Sequence, residues 1–317
     1  MKAIITLSSA VLLSVSLLSW AGDRQAINES VNVAANEKIY IEAMRGDITI
    51  KAVSANTFRV KGKLDEKSEG FELKSENGFT HFEVKMPRSV STSGNRDKGS
   101  ELEIEVPTGS EVEFKGVNSR VNVSGITGSS KVTTVNGDIR AERLSHLVTL
   151  STVNGEISSK QNSGRLELKT VNGKIDDTAS EGRLTLTTVN GEIKSRSRAS
   201  DVSLSVVNGG AELELSGLSE LKMSAVNGDL DINVKDSASP RISGSSVSGD
   251  IELKLPQTVS AKFSLTASAG GNIKNELTRD QVNKAKYGPG RSLQFTLGQG
   301  EGLVELTTVS GKLELDK

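Results

Sequence analysis

The chain has 317 residues, with 39 Lys or Arg against 40 Asp or Glu, and this near-neutral balance argues against general nucleic-acid binding and against simple electrostatic docking on an acidic membrane. It has no Cys, which excludes a disulfide framework and thiolate metal sites. Aromatic residues make up only 3%, so the core has to be built mainly from aliphatic side chains.

At the start, Lys2 supplies positive charge, Ala3 to Leu18 is an apolar run punctuated by Ser, and Ser19-Trp20-Ala21 has the small-x-small form of a cleavage site. The run is short for a membrane span and polar sequence follows at once. A cleavable signal peptide over 1–21 is expected, giving a periplasmic or secreted product with no integral membrane segment in the mature chain. No Cys follows the run to accept a lipid.

Residues 22–115 carry irregular strand-like stretches at Lys38 to Ala43, Asp47 to Ala52, Phe58 to Leu64, Phe71 to Lys74, Thr80 to Met86 and Glu101 to Val106. Tyr40, Phe58, Phe71, Phe79, Phe82 and Phe114 lie here, and larger rings imply a wider core, so the region reads as an irregular N-terminal β cap. The polar tract Ser89 to Ser100 reads as an exposed loop.

Residues 116–275 are repetitive. Asn136, Asn154, Asn172, Asn190 and Asn208 recur at an 18-residue step, mostly within Thr-Val-Asn-Gly, and Asn227 comes one residue late. Before each Asn, apolar and polar residues alternate, as at Leu166 and Leu168 or Leu184 and Leu186, which is the period of a strand with one buried face. After each Gly and one variable residue comes an apolar one: Ile139, Ile157, Ile175, Ile193, Leu230 and Ile251. A repeat this short cannot bury its own apolar face, so repeats must stack.

The predicted fold is therefore all-β, a single-stranded parallel β-solenoid of about 18 residues per coil. Two strands and two corners fill each coil. An antiparallel meander or propeller-like array is the rival, because Asn-Gly between alternating strands is also a strong hairpin signal. The columns Val132, Leu150, Leu168, Leu186, Leu204, Met223 and Val148, Leu166, Leu184, Val202, Leu221 are expected inside. The Val of each triplet (Val135, Val153, Val171, Val189) is expected to be buried after a bulge. Asn136, Asn154, Asn172, Asn190, Asn208 and Asn227 are structural corner residues, able to adopt a left-handed backbone or to stack as a hydrogen-bonded column, with Gly beside them relieving strain. In the position after Gly, Lys174 stands between Glu156 and Glu192, a pairing across coils that favours register.

Residues 276–317 hold a loop and C-terminal capping strands. The stretch Asn283 to Arg291 (NKAKYGPGR) breaks the period with turn formers and basic residues, and Tyr287 and Arg291 are its candidate partner contacts. Open strand edges at the ends invite end-to-end self-association.

No catalytic constellation emerges. His81 and His146 are far apart, no Gly-x-Ser-x-Gly elbow occurs, and neighbouring carboxylates such as Asp176-Asp177 point to opposite faces of a strand and cannot flank one bond. The Gly-Asp pairs lack the nonapeptide of calcium-binding repeats. No catalytic, metal or cofactor-binding residue is assigned and no cofactor is expected.

The recurring Thr-Val-Asn-Gly-Asp/Glu-Ile at 134–139, 152–157 and 188–193, with Lys174 in the copy at 170–175, resembles the bacterial family called "putative adhesin", a domain of unknown function with β-strand repeats. The resemblance covers most of residues 35–315 and implies an extracytoplasmic β-solenoid with no catalytic residues. The expected function is that of a noncatalytic exported cell-envelope protein, adhesin-like or a scaffold. The alternative is a regulatory module that binds a specific envelope protein or glycan through the N-terminal region or the 283–291 loop.

Overall fold

A computed structural model describes residues 11–13, 24–88 and 98–317. The expected signal peptide, apart from residues 11–13, and residues 89–97 of the expected polar loop lie outside the described residues. Two compact units, Met1–Leu150 and Ser151–Lys317, divide the chain. Among the described residues no helix is long and apolar enough to cross a membrane.

Unit 1 contains β1 (Val11–Leu13), β2 (Ala26–Asn32), β3 (Lys38–Glu42), β4 (Arg45–Val53), β5 (Thr57–Lys63), β6 (Gly70–Glu76) and β7 (Phe79–Lys85). These are followed by β8 (Ser100–Pro107), β9 (Glu111–Lys115), β10 (Asn118–Ser124), β11 (Ser130–Thr133) and β12 (Ile139–Glu142). β13 (Leu147–Asn154) carries its last residues and the first of unit 2. β1 pairs antiparallel with β6, β2 with β5, β5 with β8, and β6 with β7. The last pair closes on Asn77-Gly78, both at positive φ (51° and 77°), as a type I′ hairpin requires. By contrast, β3 lies between β7 and β9, and β4 between β8 and β10, all in parallel. Two early strands of the chain are thus interior to the sheet. Phe58, Phe82 and Phe114 are fully buried among Ile39, Ile41, Ile48 and Ile50, and these rings give unit 1 a broad core.

Unit 2 contains β14 (Ile157–Lys160), β15 (Ser163–Ser216), β16 (Glu220–Asp236), β17 (Arg241–Ser246), β18 (Ile251–Lys254) and β19 (Ala261–Ala267). It continues with β20 (Asn272–Asn275), β21 (Asn283–Lys284), β22 (Arg291–Leu297), β23 (Gly302–Thr308) and β24 (Lys312–Asp316). β15 is one strand of 54 residues that runs through successive corners. Ile157 faces Ile175 and Asn208 faces Asn227 in parallel register, so the Asn-Gly corners of the repeats are not hairpins and the meander is excluded there. After β18 the spatial order departs from the chain order. β23 sits between β17 and β19, and β24 between β18 and β20, all parallel. β22 then adds antiparallel to β19, with Phe263 and Phe295 stacked at 4.5 Å.

The all-β class holds, but the open, single-stranded parallel β-solenoid with an irregular N-terminal cap is corrected. In each unit the sheet is mixed, antiparallel pairs standing among the parallel ones, and the strands belong to a nearly closed mixed barrel instead of an open parallel coil. Two physical causes separate the outcome from the expectation. The aromatic segments fold back as hairpins, which a 2-residue Asn-Gly turn favours, and segments near both chain ends enter as interior strands instead of stacking in sequence order.

A second correction concerns the triplet Val. Alternation continues unbroken to the Thr before it, so Thr134, Thr152, Thr170 and Thr188 are buried, whereas Val135 and Val153 are exposed (38% and 37%) and Val171 and Val189 half-buried. No bulge intervenes there. The aliphatic columns themselves, from Val132 to Met223 and from Val148 to Leu221, are buried.

Candidate functional site

The six corner Asn residues present their side chains outward, and none has positive φ. In unit 2 they form a ladder: Asn172 Nδ2 donates to Asn154 Oδ1 (2.9 Å), Asn190 to Asn172 (2.9 Å), Asn208 to Asn190 (3.0 Å) and Asn227 to Asn208 (3.2 Å). In unit 1, Asn136 donates to Asn118 Oδ1 at 2.9 Å. Asn118 was legible as Val-Asn on the same 18-residue step, although Ser119 replaces the Gly. Left-handed residues occur at the other corner, with Arg143, Gln161 and Ala179 again 18 apart at φ of 54°, 54° and 58°, and His146 close by at 69°.

The Gly beside each Asn answers mainly to close approach. A Cβ on Gly173, Gly191 or Gly249 would stand 2.0, 1.8 or 1.9 Å from the carbonyl oxygen of the equivalent Gly in the preceding repeat. Of these corners, positive φ is added only at Gly137 and Gly209. In some copies the buried hydroxyl two residues before the Asn, or before Ser310 in the last copy, serves the same corner, whereas Thr188 Oγ1 makes no hydrogen bond among the described residues. Thr170 Oγ1 donates to Gly155 O (3.3 Å), and Thr308 Oγ1 accepts from Gly311 N (3.0 Å).

Between the corners the outward rows are charged, and several of the charges are paired. Lys194 Nζ lies 3.3 Å from both Glu192 and Glu212, Arg183 lies 2.7 Å from Asp201, and Lys174 reaches Asp176 of its own strand at 3.2 Å. Within unit 2, Asp177 is a buried carboxylate set among buried Ser and Asn side chains such as Ser159, Asn162, Ser180 and Ser195. Burial pushes its carboxyl above the ordinary value, opposed by hydroxyl donors that include Ser180 (2.5 Å) and Ser195 (3.0 Å).

The 283–291 segment is a hairpin tip between β21 and β22, with Ala285 N donating to Gly290 O at 2.9 Å. Tyr287 is 84% exposed, and Lys286 Nζ lies 5.4 Å from its ring centre. Arg291 starts β22 and donates from Nη1 to Asn272 Oδ1.

Unit 1 holds a surface that was not singled out from the sequence. On the outward face of β7, β3, β9 and β11, Lys38 is opposite both Phe79 and Glu111, Tyr40 is opposite both His81 and Glu113, and Glu113 is opposite Lys131. Tyr40 and His81 meet edge to face at 5.2 Å, Phe79 lies 6.5 Å from His81, and Lys115 Nζ lies 4.9 Å from the Tyr40 ring centre. A groove of about 320 Å³ is lined here by Tyr40, Phe79, Leu147, Glu111, Glu113 and Lys131, among others. Burial, then the 2.7 Å hydrogen bond to Glu42, raises the Tyr40 hydroxyl well above its ordinary value and keeps it protonated. The Lys131 ammonium holds Glu113 below the usual carboxylate range. Alternation was the usable signal, since Phe79 and His81 flank the buried Thr80 and so must point outward.

Among the described residues no group of three or more His, Cys, Asp or Glu side chains is placed to hold a metal ion. The class defined by these features is an all-β protein built from short repeats, with a polar corner ladder and an apolar groove in unit 1.

The family model described as Toastrack DUF4097 matches residues 36–316, and the chain belongs to that family. No curated protein matches it. Two crystal structures are similar at low identity. One is a "putative cell adhesion protein" from Clostridium sporogenes ATCC 15579, 9% identical, covering 92% of this chain and 99% of the other with a TM-score of 0.22. The other is a "putative adhesin" from Bacteroides fragilis NCTC 9343, 12% identical, covering 92% and 98% with a TM-score of 0.39.

Proposed function

We propose that the protein is a noncatalytic, exported cell-envelope protein of adhesin-like or scaffolding type, periplasmic or secreted, which works by presenting its sheet faces and corners. The observation that carries this reading is the chemistry of the outward rows. Many of the charged groups there are paired with one another, as in Lys194 with Glu192 and Glu212, which suits a presented surface more than a reaction centre. The ladder at Asn154, Asn172, Asn190, Asn208 and Asn227, and the bond of Asn136 to Asn118, have a structural duty in this account, holding successive corners in register.

Fractionation of cells carrying a tagged full-length chain tests the location, and binding of the purified protein to envelope preparations tests the role. Recovery in the periplasm or medium, with saturable binding to envelopes, is expected. Recovery in the cytoplasm overturns the reading.

A second reading, a module that binds one specific partner, is favoured by the exposure of Tyr287 at the tip of its hairpin. Tyr287 and Arg291 are its proposed contacts. Loss of envelope binding in Tyr287→Ser, with the fold intact, separates it from the first.

A further inference from the structure

We propose that the groove on the outward face of unit 1 is a binding site for a neutral sugar of one or two rings. The first ground is apolar exposure in a concave place. Phe79 is 46% exposed and Leu147 is 47% exposed, and both line the same groove of about 320 Å³, at the lower end of the range of ligand pockets. An aromatic face carries negative charge density. The C–H bonds of a pyranose are polarised positive by the oxygens beside them, so a sugar can lay its C–H face on Phe79 and keep its hydroxyls at the rim.

The second ground is the set of polar groups around the rings. Lys38 pairs with Glu111 at 3.4 Å and Lys131 with Glu113 at 3.1 Å, so the side chains are held by one another before any ligand arrives. Each carboxylate keeps acceptor positions beyond those its lysine uses, and each ammonium has three donors. Hydroxyl groups, which both donate and accept, match such a mixture. Pre-ordering of the pairs lowers the entropy lost on binding.

Other occupants fit less well. The two lysines and two glutamates cancel, so a polyanion gains no net Coulomb attraction. An extended peptide has no strand to add to, since β3 is already hydrogen-bonded to β7 and β9, and β9 to β3 and β11.

The inference rests on the adhesin-like reading only for where the sugar is met. Its test is a titration of the full chain with cellobiose, maltose, lactose and N,N′-diacetylchitobiose, each up to about 10 mM, followed by NMR of the Phe79 ring and the Leu147 methyl groups. At least one disaccharide is expected to shift both in a saturable way, with a Kd of about 1 mM or tighter. Phe79→Ser and Glu113→Gln each weaken it about tenfold, and Tyr287→Ser leaves it unchanged. Absence of saturation with all four sugars overturns the proposal, as does undiminished binding in Phe79→Ser. A dimer that dissociates on Leu147→Ser also overturns it, by assigning the groove to a second copy. Cytoplasmic location would defeat the envelope reading while leaving these titrations standing, so the two failures are distinguishable.

Discussion

Replacing Gly191 by Ala tests how tightly successive repeats approach. The added methyl would lie 1.8 Å from Gly173 O, whereas ordinary contact begins at 3.4 Å, so a gap of 1.6 Å (3.4 − 1.8) must open against backbone. That is about a third of the ~4.8 Å strand spacing. The obstacle cannot rotate away, because it is a carbonyl oxygen of the sheet. Overpacking costs about 1–3 kcal/mol, and loosening one or two neighbouring hydrogen bonds adds about 1 kcal/mol each, for a total of about 2–5 kcal/mol. Gly210, beside the equivalent Gly209 of the next repeat, is the control. Its nearest obstacle, Asp229 O, stands at 3.4 Å, and its backbone is not left-handed. Gly210→Ala is therefore expected to be neutral or to stabilise by about 0.4–1 kcal/mol through the unfolded state. Urea unfolding followed by far-ultraviolet circular dichroism, with hydrogen exchange of residues 185–215 as the local measure, compares the two. Equal midpoints for the two variants, or Gly191→Ala within about 0.5 kcal/mol of the parent, would refute close approach as the reason for the corner glycine.

Asn190 both donates to Asn172 and accepts from Asn208, whereas Asn227 has the single bond to Asn208. Asn190→Ala should cost about 1–2 kcal/mol and Asn227→Ala about half as much in urea titrations, and the reverse order would sink the ladder account. The raised carboxyl of Asp177 gives a pH signature. Between the ordinary carboxylate pKa of about 4 and its own higher value the folded state binds more protons than the unfolded chain, so its contribution to stability is present at lower pH and is lost as pH rises through that window. The stability of the parent relative to Asp177→Asn should therefore fall with rising pH, as read from urea midpoints across the range; a flat difference contradicts the assignment. Deleting residues 302–317 removes the strands that lie between β17 and β19 and between β18 and β20. Loss of exchange protection should then reach Arg241–Ser246 and Ala261–Ala267, not merely the terminus, and protection unchanged in both would show that β23 is dispensable.

Much of the local structure was legible in the sequence because side-chain periodicity is a local property. Leu166, Leu168, Leu184 and Leu186 alternate with polar residues, and burying one face of such a strand removes apolar area from water whatever its neighbour is. The same alternation places Thr170 inside and Val171 toward the surface, so the bulge expected at that Val is absent. Asn-Gly was ambiguous for a physical reason. At Asn77-Gly78 both residues take positive φ and close a hairpin, whereas at Asn190-Gly191 the chain continues, the side chain bonds to the next Asn, and the glycine makes room for a carbonyl.

By itself the sequence determined an all-β chain, an 18-residue step, an aliphatic interior through the repeats and the outward or inward phase of each strand. Tertiary structure alone decided which strands are neighbours. Backbone N–H and C=O groups are the same in every residue but proline, so nothing in the spacing of Leu303 to Leu315 states that β23 and β24 will enter between earlier strands. It also brought Tyr40, Phe79 and Leu147 to one groove, which depends on strand neighbours far apart in the chain. Strand order depends on the summed packing of whole faces, and that sum exists only once the chain has folded.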